Sequence, residues 1–160
     1  FFFFFNMLGL WMFGTILEKL WGPKRFLSFY LICGLAAAGA QFLSYAVDYR
    51  HIPSVTSVSD MMSVDQFRMV TTYTLGASGA VMGVLAAFGY LFPNTQLIIF
   101  PFPFPVKAKW AILGIIALDV FGGISRAPND NIAHFAHVGG ALVGYLIVIY
   151  WHKTKKQTFY

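Results

Sequence analysis

Residues 26–47 are apolar apart from Ser28, Gln41 and Ser44, and four further stretches of the 160-residue chain share that character. Residues 1–17 contain only Asn6 and Thr15 as polar interruptions, residues 79–92 none but a tyrosine, residues 110–124 one aspartate, and residues 132–151 two histidines. A helix packed on a soluble core needs a polar face, and these runs lack one. With 58% hydrophobic and 11% charged residues, the whole chain is more apolar than an ordinary soluble domain. The reading is an all-α, polytopic membrane bundle: one membrane-embedded domain over residues 1–160, with spans near 1–20, 26–47, 78–92, 109–125 and 131–151. Two of them, the third and fourth, are short for a hydrocarbon core that takes roughly 20 residues.

The net charge of +5 has a topological pattern rather than a nucleic-acid one. If the first span runs outside to inside, Lys19, Lys24, Arg25, Lys107, Lys109, Lys153, Lys155 and Lys156 lie inside, and only Arg50, Arg68 and Arg126 lie outside. That excess of basic residues orients the chain. The chain then starts outside, in the apolar run 1–5, with no charged segment or small-residue cleavage site ahead of it, so the run does not read as a signal peptide. One more helix upstream, or another membrane subunit, is expected to complete the bundle. A multi-pass protein of a bacterial inner membrane is the expected setting, and the single Cys33 says nothing about disulfides.

Among the connections, Trp21-Gly22-Pro23-Lys24-Arg25 reads as a tight inner turn. Residues 48–75 are a long polar outer loop, a candidate gate with a short helix near 64–70. Residues 100–106 alternate Phe and Pro, which favours an extended strap. Residues 126–130 form an outer turn.

Two short motifs carry the chemistry. Gly76-Ala77-Ser78-Gly79 opens the third span, and Ala136-His137 with Gly140 and Gly144 lies in the fifth. Polar, ionisable side chains are costly at membrane depth, so a functional reading is the default. At 1.5 Å per residue, Ser78 and His137 each lie about 9 Å below the outer surface, and Asn6 lies about 18 Å from the inner boundary, at a comparable level. Gly79 and Gly83 on one helix, Gly140 and Gly144 on the other, are small-residue pairs that let backbones approach. Contact through those faces would bring the Ser78 hydroxyl toward the His137 imidazole, as a base-activated nucleophile requires. At a helix start, Ser78 would also lie beside unpaired backbone N–H groups that favour an oxyanion.

Each residue has a plainer reading. Small-residue strings in membrane helices usually serve packing. His134 lacks the following glycine spacing and reads as a packed or proton-relay residue; His51 and His152 read as solvated. Asp119 has no evident basic partner at its level and reads as a structural polar contact, Met82 as packing. His134 and His137 without an acidic third ligand give no metal set, and no cofactor is expected.

Taken in order and spacing, these motifs resemble the rhomboid family of intramembrane serine proteases. Phe5-Asn6-Met7, Trp11-Met12-Phe13-Gly14 and Leu17-Glu18 before Trp21-Gly22 resemble that family's second transmembrane helix, so the likeness runs from its second helix to its sixth. The resemblance implies Ser78 as nucleophile, His137 as general base, and the Asn6 side chain with the Ser78 N–H as oxyanion donors. It implies single-pass membrane proteins as substrates, cut near the outer face, and the bilayer as the working medium. Two positions depart. Phe2 stands where the family often has a histidine, and loss of one oxyanion donor costs about 10²–10³ in rate. Met82 stands where an aromatic often supports the histidine. Two other classes remain open: a catalytically impaired relative that escorts membrane clients, and a small transporter using His134, His137 and Asp119 as a proton path.

Overall fold

The computed structural model describes residues 2–49, 77–98, 104–125 and 133–154. The first helical rod is α1 (Phe2–Gly9), a π-helical turn (Leu10–Gly14) and α2 (Thr15–Trp21). Next come α3 (Pro23–Tyr49), α4 (Ser78–Leu91), strands β1 (Gln96–Ile98) and β2 (Pro105–Lys107), α5 (Ala108–Ser125) and α6 (His134–Thr154). The outer-loop gate beyond Tyr49, its short helix, the 126–130 turn and residues 100–103 of the strap lie outside the described residues.

The inner turn forms as its residue types require. Gly22 leaves the helix at φ 81°, a conformation open to glycine, and its N–H donates to the Glu18 carbonyl at 2.8 Å. Pro23 then opens α3, where its missing N–H costs nothing. The second half of the strap is not polyproline-like. Pro105–Lys107 pairs antiparallel with Gln96–Ile98, so a two-stranded ribbon is added to the helical bundle. Backbone bonds from Ala108 N–H to Thr95 and from Lys109 N–H to Pro93 tie that ribbon to the base of α5.

One end of the bundle gathers the basic residues. The Arg25 guanidinium lies 4.0 Å from the centre of the Trp151 ring, and Trp21 meets Phe29 and Trp151 edge to face while those two rings are tilted to each other. Tyr90 bonds His152 Nδ1 at 3.0 Å, so His152, expected to be only solvated, joins α6 to the end of α4. Leu17, Phe29, Cys33, Val84 and Val148 are fully enclosed between these helices. On the outside, Leu35, Phe42, Leu118 and Phe121 are each at least 70% exposed. A water-facing monomer does not present such a belt, whereas lipid covers it without cost. Helices Pro23–Ser44, Ala108–Ser125 and His134–Thr154 are each long and apolar enough to cross a bilayer. The protein is an integral membrane protein.

Candidate active site

The tightest helix contact in the bundle is made by glycines. A methyl group built on Gly140 would collide with the Gly79 carbonyl oxygen, and one on Gly144 would meet the Gly83 backbone at 2.7 Å. Gly79 faces the Ala136 carbonyl, 3.1 Å from its own virtual Cβ, and Gly83 faces the Cys33 sulfur at 2.6 Å. α3 enters the same seam, with Ala37 against Gly79 and Ala40 against Gly139. Any side chain larger than hydrogen would separate α4 from α6, and dispersion contact across such a seam is a main source of helix association in lipid.

That seam ends at the chemistry-bearing residues. Ser78 is the first residue of α4, immediately before Gly79. His137 follows Ala136 in the first turn of α6. Both are half-buried. Ala77 caps α4 without a side-chain bond, and the first helical bond runs from the Val81 N–H to the Ala77 carbonyl. The N–H groups ahead of Val81 therefore have no partner within the helix. Gly76 lies outside the described residues. Asn6, also half-buried, lies one turn outward of Gly9, and Gly9 touches Val81, one turn inward of Ser78. The Asn6 and Ser78 positions thus share a level on parallel helices. Among the described residues, Ser78 makes no side-chain hydrogen bond to His137.

Asp119 departs from expectation. Far from lacking a partner, it is buried on α5 and its Oδ1 accepts hydrogen bonds from His137 Nδ1 at 3.0 Å and His134 Nδ1 at 2.8 Å. An ionised carboxylate only accepts, so both Nδ1 atoms carry protons. In a neutral His137 that arrangement would put the lone pair on Nε2, the tautomer a general base needs. Both imidazole nitrogens point at one oxygen in hydrogen-bond geometry, and among the described residues no group of three such side chains could hold a metal ion.

Gln41 is a second residue that reading the sequence passed over. It is buried on α3, and its Oε1 accepts the Ala136 N–H at 3.3 Å, satisfying a first-turn donor of α6 next to His137. Cys33, Ala37 and Gln41 are spaced four apart and line one face, so the lone amide in an apolar span was the available signal. Met82 is buried against Ala86 and Ala141 with Leu85, Ile115 and Ile116, which agrees with a packing role.

Comparison with known proteins decides the lineage. The family model described as the Rhomboid domain matches residues 1–154. The chain belongs to the rhomboid family. Among this rhomboid's relatives, Rhomboid protein 1, mitochondrial, of Saccharomyces cerevisiae is 35% identical over 95% of the chain and 38% of its own length. The Presenilin-associated rhomboid-like protein, mitochondrial, of Rattus norvegicus is 32% identical over 92% of the chain and 34% of its length. Rhomboid protease AarA of Providencia stuartii is 31% identical over 91% and 49% respectively. The rhomboid chain therefore spans between a third and a half of these relatives. No solved structure matches it significantly.

Proposed function

We propose that this rhomboid is an intramembrane serine endopeptidase that cleaves single-pass membrane proteins near the outer face of the bilayer. The observation that carries the reading is the α4–α6 glycine seam. It brings Gly79, next to Ser78 at the start of α4, against the carbonyl of Ala136, next to His137 on α6, and the His137 ring is held by Asp119. The existence of a relative named as a protease gives independent support.

In this mechanism the Ser78 hydroxyl attacks the scissile carbonyl carbon while its proton moves to His137 Nε2. The resulting oxyanion sits against the Ser78 backbone N–H and the Asn6 side-chain amide. Collapse breaks the C–N bond, and His137 returns its proton to the departing amine. Water, deprotonated by the same imidazole, hydrolyses the acyl ester and regenerates the serine. Asp119 does not touch substrate. It holds the ring in the working tautomer and stabilises the imidazolium that forms, so the dyad has a third, orienting member.

The setting is a mitochondrial membrane rather than a bacterial one, a reading supported by relatives from yeast, rat and Arabidopsis thaliana whose names carry that location. The test is cleavage of a single-pass substrate by the full-length protein in proteoliposomes. Ser78→Ala and His137→Ala are each expected to abolish the product. Binding of the substrate without cleavage by the wild type would instead select the escort reading, for which Phe2 in place of an oxyanion donor is the favouring feature. Unchanged activity in Ser78→Ala would exclude the peptidase mechanism.

A further inference from the structure

α5 leans away from α6 as it descends. At the outer end the two helices are joined: Asp119 bonds two α6 histidines, Gly122 lies on His134 and Gly123 on Phe135. At the inner end α5 instead packs on α4, where Gly89 receives Ile112 and where Phe88, Ala108 and Ile112 form a cluster. Between α5 and α6, from just below the Asp119 bonds inward, a groove of about 560 Å³ remains, floored by α4 and walled by Ile112, Ile116, Val138, Ala141 and Leu142. Lys109 supplies the one charge of its lining, and Tyr90 and Tyr145 lie toward the same inner end. Leu113 and Leu142 on the rim are each 56% exposed, so the groove opens sideways to the bilayer.

Depth selects the occupant. From Lys109 to Ile116 on α5 is seven residues, about 10 Å along the axis, or a third of a hydrocarbon core roughly 30 Å thick. A transmembrane helix about 10–12 Å across would need a channel running the full depth. Here the outer end is closed by the Asp119–histidine bonds. A hydrocarbon chain entering from the inner leaflet needs only the length below them. At the mouth, Lys109 has no carboxylate partner among the described residues, and its ammonium lies 5.4 Å from the Trp110 ring centre. Basic pockets between spans on the inner side suit anionic lipid headgroups.

We infer that the α4–α5–α6 groove is a binding site for an anionic phospholipid of the inner leaflet. Its phosphate pairs with Lys109 and one acyl chain lies along Ile112, Ile116 and Ala141. The inference does not depend on the peptidase reading. Native mass spectrometry of the full-length protein, released from bilayers of equal phosphatidylglycerol and phosphatidylcholine, reads it directly. The wild type is expected to retain one phosphatidylglycerol in preference to phosphatidylcholine. Lys109→Ala should lower that preference about fivefold, the equivalent of about 1 kcal/mol for one lysine at an anionic surface. Lys109→Arg should restore it, and Lys107→Ala, outside the lining, should leave it intact. Leu142→Trp, on the exposed rim, should reduce retention by filling the groove. Equal retention of the two lipids, or a preference unmoved by both Lys109→Ala and Leu142→Trp, would overturn the site and leave only annular lipid.

Discussion

Asp119→Asn isolates the charge that orients the candidate base. The substitution keeps the volume and one carbonyl acceptor in a position that is 9% exposed, so the bundle should hold. In the wild type, Oδ1 takes protons from both His134 and His137 at 2.8 and 3.0 Å. A hydrogen bond to a charged group contributes about 1.5–3 kcal/mol and a neutral one about 1, so His137 loses about 0.5–2 kcal/mol of support as it becomes imidazolium. That difference lowers kcat by about twofold to thirtyfold. If the new amide turns its NH₂ toward Nδ1, that nitrogen must accept, the proton moves to Nε2, and the loss approaches about 10⁴. KM should stay constant, because Asp119 touches no substrate in the mechanism. The assay is steady-state cleavage of a fluorogenic single-pass substrate in proteoliposomes from pH 5 to 9, with thermal unfolding as the fold control. His134→Ala, which leaves Oδ1 to His137 alone, should remain active, whereas a proton path would lose function. An Asp119→Asn variant within twofold of wild type and with an unshifted pH profile would refute the orienting role.

The seam and its supports make further predictions. Gly140→Ala drives a methyl into the Gly79 backbone and should cost about 1–3 kcal/mol in reversible unfolding by SDS titration. Gly114→Ala, with nothing near its virtual Cβ, should change stability by no more than about 1 kcal/mol and toward stabilisation, so equal effects at both sites would contradict the packing described. Gln41→Leu strands the Ala136 N–H and should cost about 1–3 kcal/mol, with faster amide exchange at Ala136 and recovery in Gln41→Glu. Gly22→Ala forces a side chain into φ 81° and should cost about 1–3 kcal/mol in the same titration without altering labelling of Ser78.

The bundle was legible because lipid imposes a simple rule on composition. Runs such as 26–47 can only be helices when no water is available to their backbone groups. The breaker pair Gly22-Pro23 marked its turn for equally local reasons, and the spacing of Gly79, Gly83, Gly140 and Gly144 carried the helix seam. Long-range polar pairing was not legible. Asp119 was read as unpartnered because a helix-depth count gives a level and no azimuth, while the two histidines that meet it come from α6, at sequence separations of 15 and 18. His152 escaped for the same reason, its partner Tyr90 being 62 residues away. The ribbon at Gln96–Ile98 and Pro105–Lys107 was hidden by Phe–Pro alternation, whose local preference for an extended strap yields to pairing across the hairpin.

The central claim is a serine made nucleophilic by a neighbouring imidazole at the outer end of the seam. Its most direct measurement is the rate and site of covalent labelling by a fluorophosphonate, mapped by peptide mass spectrometry on the full-length protein in bilayers. Adduct on Ser78, formed rapidly in the wild type and lost in His137→Ala, is the predicted result. A Ser78 that stays unmodified, or one that reacts equally fast without His137, would contradict the account.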